Sequence, residues 1–198
     1  MKQLFTCLTL CIMIASANAQ DQTFDYKVRK VNDVTVSTGI ALNFPGGDFG
    51  ETAGNAFGVT GILSYVYTPS LNLTLTAGFM AFSGQDVLTS AYGTVQYTHN
   101  AVPVLIGARY FVNNNSSIQP FIGIKTGVHI IKTNLEFSNS FFSSTLDEGQ
   151  SKTKFSFGAE AGANFSKLDA AAVFMHFSGG SYAGIRVGYI LPLNDLVK

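Results

Sequence analysis

Residues 101–133 read AVPVLIGARYFV-NNNSS-IQPFIGIKTGVHIIKT, and their alternation decides the fold. Val102, Val104, Ile106, Ala108, Tyr110 and Val112 occupy one parity, and Pro103, Leu105, Gly107, Arg109 and Phe111 the other. After the turn-forming run Asn113, Asn114, Asn115, Ser116 and Ser117, the pattern resumes. Ile122, Ile124, Thr126, Val128 and Ile130 then share a face, opposite Gln119, Gly123, Lys125, Gly127 and His129. Successive side chains of a strand point to opposite faces, so this is a hairpin with one oily row and one small or charged row. Asn and Ser tolerate the tight backbone of the turn, because their side chains bond to their own main chain.

Composition says which row faces in. The chain is 46% hydrophobic and only 12% charged, about half the usual charged fraction of a soluble domain. Beyond the first twenty residues no apolar run is long enough for a membrane helix. A soluble barrel would need its charges on the outer row, and there are too few. The arrangement that fits is a barrel turned inside out, oily row to lipid and Gly/Ser/Thr/charged row to the lumen. It must close on itself, since an open sheet edge does not survive in hydrocarbon.

The other segments repeat the pattern. Residues 1–19 have the form of a secretory signal peptide: Lys2, an apolar run from Leu4 to Ile14, and the small-x-small site Ala17-Asn18-Ala19. Cys7 and Cys11 both lie in it, so the exported chain is expected to hold no disulfide and no thiol chemistry. Removing Lys2 with that segment leaves 11 basic against 12 acidic residues, a charge of −1 that argues against nucleic acid. Residues 20–32 are a polar segment carrying Lys27, Arg29 and Lys30. Residues 33–192 are the expected barrel, and residues 193–198 a tail.

Strands are expected at 33–44, 56–67, 71–83, about 92–112, then the second half of the opening hairpin, 152–165, 170–177 and 182–191. Loops are expected at 45–55, 84–90 and, the longest, 134–150 with Phe137, Phe141 and Phe142; Ser166, Lys167, Leu168 and Asp169 are expected to form a turn. That gives about eight antiparallel strands, with short turns alternating with longer loops, the pattern of a small outer-membrane barrel with its short turns in the periplasm. Aromatic residues fall near strand ends, Tyr65, Tyr67, Tyr110, Phe165 and Tyr189 at one rim and Phe44, Phe57, Phe155 and Phe177 at the other, as interfacial girdles do.

The series resembles the small outer-membrane β-barrel proteins, the OmpA-transmembrane, OmpX and OmpW-like group. Val102-Pro103-Val104, Ala108-Arg109-Tyr110-Phe111 and Gln119-Pro120-Phe121-Ile122-Gly123 are similar to the P-x-x-x-G-x-R-Y-F … P-F/Y-x-G hairpin of the broad outer-membrane barrel domain family. The resemblance implies an all-β, closed, up-and-down transmembrane barrel in the outer membrane of a Gram-negative bacterium. It implies contact with lipid and lipopolysaccharide and delivery by the barrel-assembly machinery. The family often ends on an aromatic residue; here Tyr189-Ile190-Leu191 is followed by seven more residues, which places any such signal internally.

The inward row is asymmetric. The first three strands offer it only Thr, Ser, Asn, Gly and a few apolar residues, whereas the later ones supply Arg109, Lys125, His129, Glu160, His176 and Arg186. Glu160 is expected to be the one carboxylate among these cations and, because buried charge must be paired, to bond Arg186 or Lys125. Eight strands leave room for little beyond side chains, so the network is expected to plug the lumen. The function expected is non-enzymatic, in envelope structure or in surface interaction, with Phe137, Phe141 and Phe142 as contact candidates. The alternative is a narrow pore or small hydrophobic-solute channel with a gated, anion-selective or ligand-binding lumen. A second alternative is a lipid A-modifying hydrolase. His176-Phe177-Ser178 resembles the His-x-Ser of outer-membrane lipid A deacylases, in which the histidine is base to the serine. That reading requires His176 and Ser178 to face lipid with a carboxylate nearby. No metal-ligand spacing involves His99 or His129, and no cofactor or metal is expected.

Overall fold

The computed structural model describes residues 30–90, 93–112, 118–138 and 143–193; within them, the side chains of 85–90, 93–96, 135–138, 143–150 and 192 are left undescribed. Eight strands run β1 Val34–Gly46, β2 Ala53–Thr68, β3 Leu71–Ser90, β4 Gly93–Phe111, β5 Ile118–Ser138, β6 Ser143–Phe165, β7 Leu168–Phe177 and β8 Gly180–Pro192. Each pairs antiparallel with the next, and β8 pairs with β1 to close the barrel. No helix among the described residues is long and apolar enough to cross a membrane.

The stagger of the barrel can be followed through the register. From Asn72 on β3 the partners run Arg109, Gly123, Glu160, Val173, Gly184, Asn43 and Ala56, and return to β3 at Phe82, ten residues further on. Such a shear, shared over eight strands, goes with the tilt of about 40° usual in membrane barrels.

The expected faces are found in β1 to β6 and in β8. Ile106, Tyr110, Ile122, Ile124, Phe155, Phe157 and Ile185 stand on the outside, each more than half exposed. Ser37, Asn43, Thr60, Ser64, Asn72, Thr74 and Thr76 are buried on the inside of the first three strands. In β7 the parity is reversed. Asp169, Ala171, Met175 and Phe177 are buried, whereas His176 and Phe174 are exposed. Both rows of β7 are apolar apart from Asp169 and His176, so alternation alone leaves its facing open. The two-residue turn at Ser178 and Gly179 settles it by pairing Phe177 with Gly180 and His176 with Ser181. Phe177 therefore belongs to the interior and not to the outer aromatic rim.

Three expected loops are built differently. Residues 84–90 continue β3, and most of 134–150 is ladder: β5 runs to Ser138 and β6 starts at Ser143, with Ser138 opposite Ser143. The Ser, Asn and Gly content reads as loop, but in water a long hairpin needs no oily row: its facing backbone groups pair across the ladder and its outer ones can bond water. Phe137 thus lies on β5, and Phe141 and Phe142 lie outside the described residues. The third segment contains a short helix, α1 (Asp48–Thr52), entered through Gly47 at a φ of 64° that favours glycine.

Candidate functional site

Five consecutive strands each place one charged side chain in the lumen: Arg109 on β4, Lys125 on β5, Glu160 on β6, Asp169 on β7 and Arg186 on β8. None is more than 5% exposed. They form one alternating chain. Lys125 Nζ lies 2.8 Å from Glu160 Oε2. Arg109 donates from Nε to Glu160 Oε1 at 2.6 Å and from Nη2 to Oε2 at 3.2 Å, and turns Nη1 to Asp169 Oδ2 at 2.9 Å. Arg186 grips Asp169 with two parallel bonds, Nη1 to Oδ2 at 3.0 Å and Nη2 to Oδ1 at 2.9 Å. Paired and multiply bonded in this way, the planar guanidinium groups meet the demand that buried charge be matched in geometry as well as in sign.

The expected Lys125–Glu160 bond is present. Arg186 is only 3.9 Å from Glu160 Oε2 and bonds Asp169 instead. Glu160 is therefore one of two carboxylates. The sequence places Asp169 in the turn Ser166-Lys167-Leu168-Asp169. The turn is only Ser166 and Lys167, with Ser166 at a φ of 54°, and β7 begins at Leu168. The signal that could have found Asp169 is parity within the last hairpin, which puts it two residues below Ala171, the partner of Arg186.

Apolar groups close the lumen on either side of this chain. Towards the short-turn end, Phe111 and Phe121 pack with ring centroids 5.2 Å apart, and the Arg109 guanidinium lies 4.5 Å over Phe121. Towards the other end, Phe49 of α1 drops into the barrel mouth, edge-on to Phe82 at 5.0 Å and to Phe177 at 5.2 Å, with His99 at 5.2 Å. Gly180 makes room for it, since a Cβ there would strike that of Phe49. Met80, Met175 and Tyr182 complete the plug.

His129 is fully buried, as expected of an inward residue, but stands apart from the charged chain. Its Nδ1 is 2.8 Å from Ser156 Oγ and its Nε2 is 3.0 Å from the Tyr182 hydroxyl, so it fastens β5 to β6 and β8 beneath the aromatic plug. His176 is the correction: it faces outward, its ring 5.2 Å from that of Phe157. Ser178 is exposed in the adjoining turn. The lipid-side half of the hydrolase requirement is therefore met for His176, but among the described residues no ion pair to a carboxylate orients it. No group of three or more His, Cys, Asp or Glu residues among the described ones could hold a metal.

The family model for the outer membrane protein β-barrel domain matches residues 7–189. No curated protein matches the sequence. Among solved structures, the chain is similar to Ail, the attachment invasion locus protein of Yersinia pestis, at 15% identity and a TM-score of 0.50, over 82% of this chain and 100% of that one. It is similar to Neisserial surface protein A at 12% identity and a TM-score of 0.51, over 80% and 96%. OprG of Pseudomonas aeruginosa is matched at 12% identity and a TM-score of 0.48, over 85% and 100%. At such identities the likeness is one of fold.

Proposed function

This chain belongs to the outer membrane protein β-barrel domain family, and we propose that within it the protein is a non-enzymatic surface-interaction barrel with a closed lumen. Its place is the outer membrane of a Gram-negative bacterium, reached after cleavage of residues 1–19, with the barrel-assembly machinery inserting it and lipopolysaccharide surrounding its outer half. One observation carries the reading. β3 to β6 are 20, 19, 21 and 23 residues long, against 13, 16, 10 and 13 for β1, β2, β7 and β8. All the extra length is at the end opposite the short turns, which in this family is the outside. Among the described residues, β3 pairs with no strand on its far side past Gly84, and β6 with none from Ser143 until Ser156. A four-stranded sheet thus stands clear of the rim with two open edges, and an open edge is a template for an extended segment of another chain.

The lumen supports the same reading by what it refuses. A conducting path would leave its lining open to water, and the charged chain and both aromatic plugs are buried. The likeness to Ail, whose name records attachment and invasion, is in keeping with an outward-directed role. The test is attachment of cells displaying the wild type, compared with cells displaying a barrel whose residues 135–149 are replaced by an Asn-Gly turn, on a surface coated with extended peptides. Loss of attachment with the barrel still folded is the expected result. Equal attachment by both would remove the protruding sheet from the function.

A further inference from the structure

The link that carries α1 is seated in the barrel mouth by one ring. Between the last β1 pair, Gly46 with Ser181, and the first β2–β3 pair, Ala53 with Gly84, Phe49 is the only buried residue. Gly47, Asp48 and Glu51 are exposed, and the five-residue helix has no side-chain cap bond. The seat itself belongs to the barrel. Phe82 stands on β3, His99 on β4, Phe177 on β7 and Tyr182 on β8, with Met80 and Met175 one inward step below. These groups hold one another without Phe49. The Phe82 and Tyr182 rings are 6.2 Å apart, and those of Phe177 and Tyr182 6.4 Å. His129 lies 5.6 Å from the Phe177 ring and 3.0 Å from the Tyr182 hydroxyl. Aromatic edges and thioether sulfur are the surroundings that suit a flat ring.

The seat adjoins an open edge. Phe82 is two residues below Gly84, past which β3 pairs with no described strand on its far side. β3 runs outward and β2 inward, so an extended segment added antiparallel to that edge prolongs the line of β2 upward. Its C-terminal end arrives above Ala53, where α1 lies, and its last side chain on the lumen face falls beside Phe82.

We propose that the aromatic seat is a recognition pocket for an aromatic side chain of that partner segment, and that Phe49 is its built-in occupant, displaced as the segment adds to β3. This rests on the surface reading and narrows it: the edge used is that of β3, and the segment bears an aromatic residue where it reaches the barrel. Exchange of ring for ring keeps the pocket filled, and the new ladder bonds favour the exchange. A segment without a ring must leave a cavity lined by Phe82, Phe177 and Met175, so the pocket rejects it.

The chain has no tryptophan, so the indole of an added peptide is the only one in the sample. The probe is a short Thr- and Val-rich peptide ending in tryptophan, titrated by fluorescence into the refolded exported barrel in micelles, against empty micelles. The same peptide ending in phenylalanine or in alanine serves as competitor. The proteins are the wild type, Phe49→Ala, and Phe49→Ala with Phe82→Ala, each checked for the compact band on unheated gels. Phe49→Ala should bind the tryptophan peptide at least about tenfold more tightly than the wild type, because the competing ring is gone. Emission should move to shorter wavelength as the indole leaves water. Adding Phe82→Ala removes a wall and should cancel most of the gain. The phenylalanine peptide should displace the probe and the alanine peptide should not. Equal affinity of the wild type and Phe49→Ala, or an alanine peptide that competes as well as the phenylalanine one, would overturn the pocket and leave the open edge standing. Binding of no peptide to any of the three proteins would overturn the pocket and the edge together.

Discussion

Replacing Glu160 by Gln should be among the most damaging conservative changes in this barrel, and the reason is countable. The carboxylate takes two bonds from Arg109 and one contact from Lys125 at 2.8 Å. At an effective dielectric of about 20, a unit pair at that distance attracts by about 6 kcal/mol. Several kcal/mol of desolvation per ion offset most of that in the intact pair. The amide keeps the shape and part of the hydrogen bonding but removes the charge, so three cations are left against Asp169 alone. Breaking a buried pair from one side costs about 3–5 kcal/mol, because the desolvation of the remaining partner is no longer matched. Lys125→Met should behave differently. It brings the cluster to two cations and two carboxylates and leaves Glu160 held by Arg109, so its cost should stay below about 1.5 kcal/mol, as for a volume-conserving change. The assay is urea unfolding of the refolded barrels in lipid vesicles, followed by the loss of the compact band on unheated gels. If Glu160→Gln and Lys125→Met shift the midpoint equally, or neither shifts it, the charged chain is not what holds β4 to β8 together.

Four further outcomes follow from the same geometry. In planar bilayers the wild type should show no discrete conductance, and Phe49→Ala should show none either, because the charged chain lies beneath the aromatic plug; stepwise currents from the wild type would end the closed-lumen reading. Tyr182→Phe removes the hydroxyl 3.0 Å from His129 Nε2 and should lower the urea midpoint by the equivalent of about 1–3 kcal/mol. Gly158→Val should abolish folding into the compact form, since a Cβ there meets the Phe174 carbonyl and the Met175 sulfur; recovery of the folded band at wild-type yield would contradict that close approach. His176→Ala should leave the mass spectrum of lipid A from expressing cells identical to that given by the wild type, and a mass difference of one acyl chain between them would make the barrel a hydrolase.

Architecture was legible because a barrel in lipid must write itself into every strand. Ile106, Tyr110, Ile122 and Ile124 meet hydrocarbon, and their neighbours of opposite parity cannot, so period two is enforced wherever one face is lipid and the other lumen. β7 escaped for the same physical reason. Its inner face meets the aromatic plug and not water, so both of its rows are apolar and parity carries no sign. Strict alternation therefore sends the polar His176 inward, although it stands on the outer face beside Phe157. Asp169 was hidden by its position one residue inside a tight turn, where an aspartate ordinarily caps a loop. The protruding sheet was hidden by composition, since strands in water need no oily row. Of the charged chain, the Lys125–Glu160 pair was legible in advance, and the pairing of Asp169 with Arg109 and Arg186 was not. Which carboxylate takes which guanidinium depends on the shear, and shear is set by all eight registers together. Local reading did foresee which residues face the lumen on β4, β5, β6 and β8, and the contrast between them and the uncharged inner row of the first three strands. Among the described residues every ion pair joins strands within β4 to β8, and the wall of β1 to β3 meets them with hydroxyls such as those of Thr60 and Thr76 set among Ile62, Met80 and Phe82, so the barrel's charge is matched along one wall and not across the lumen.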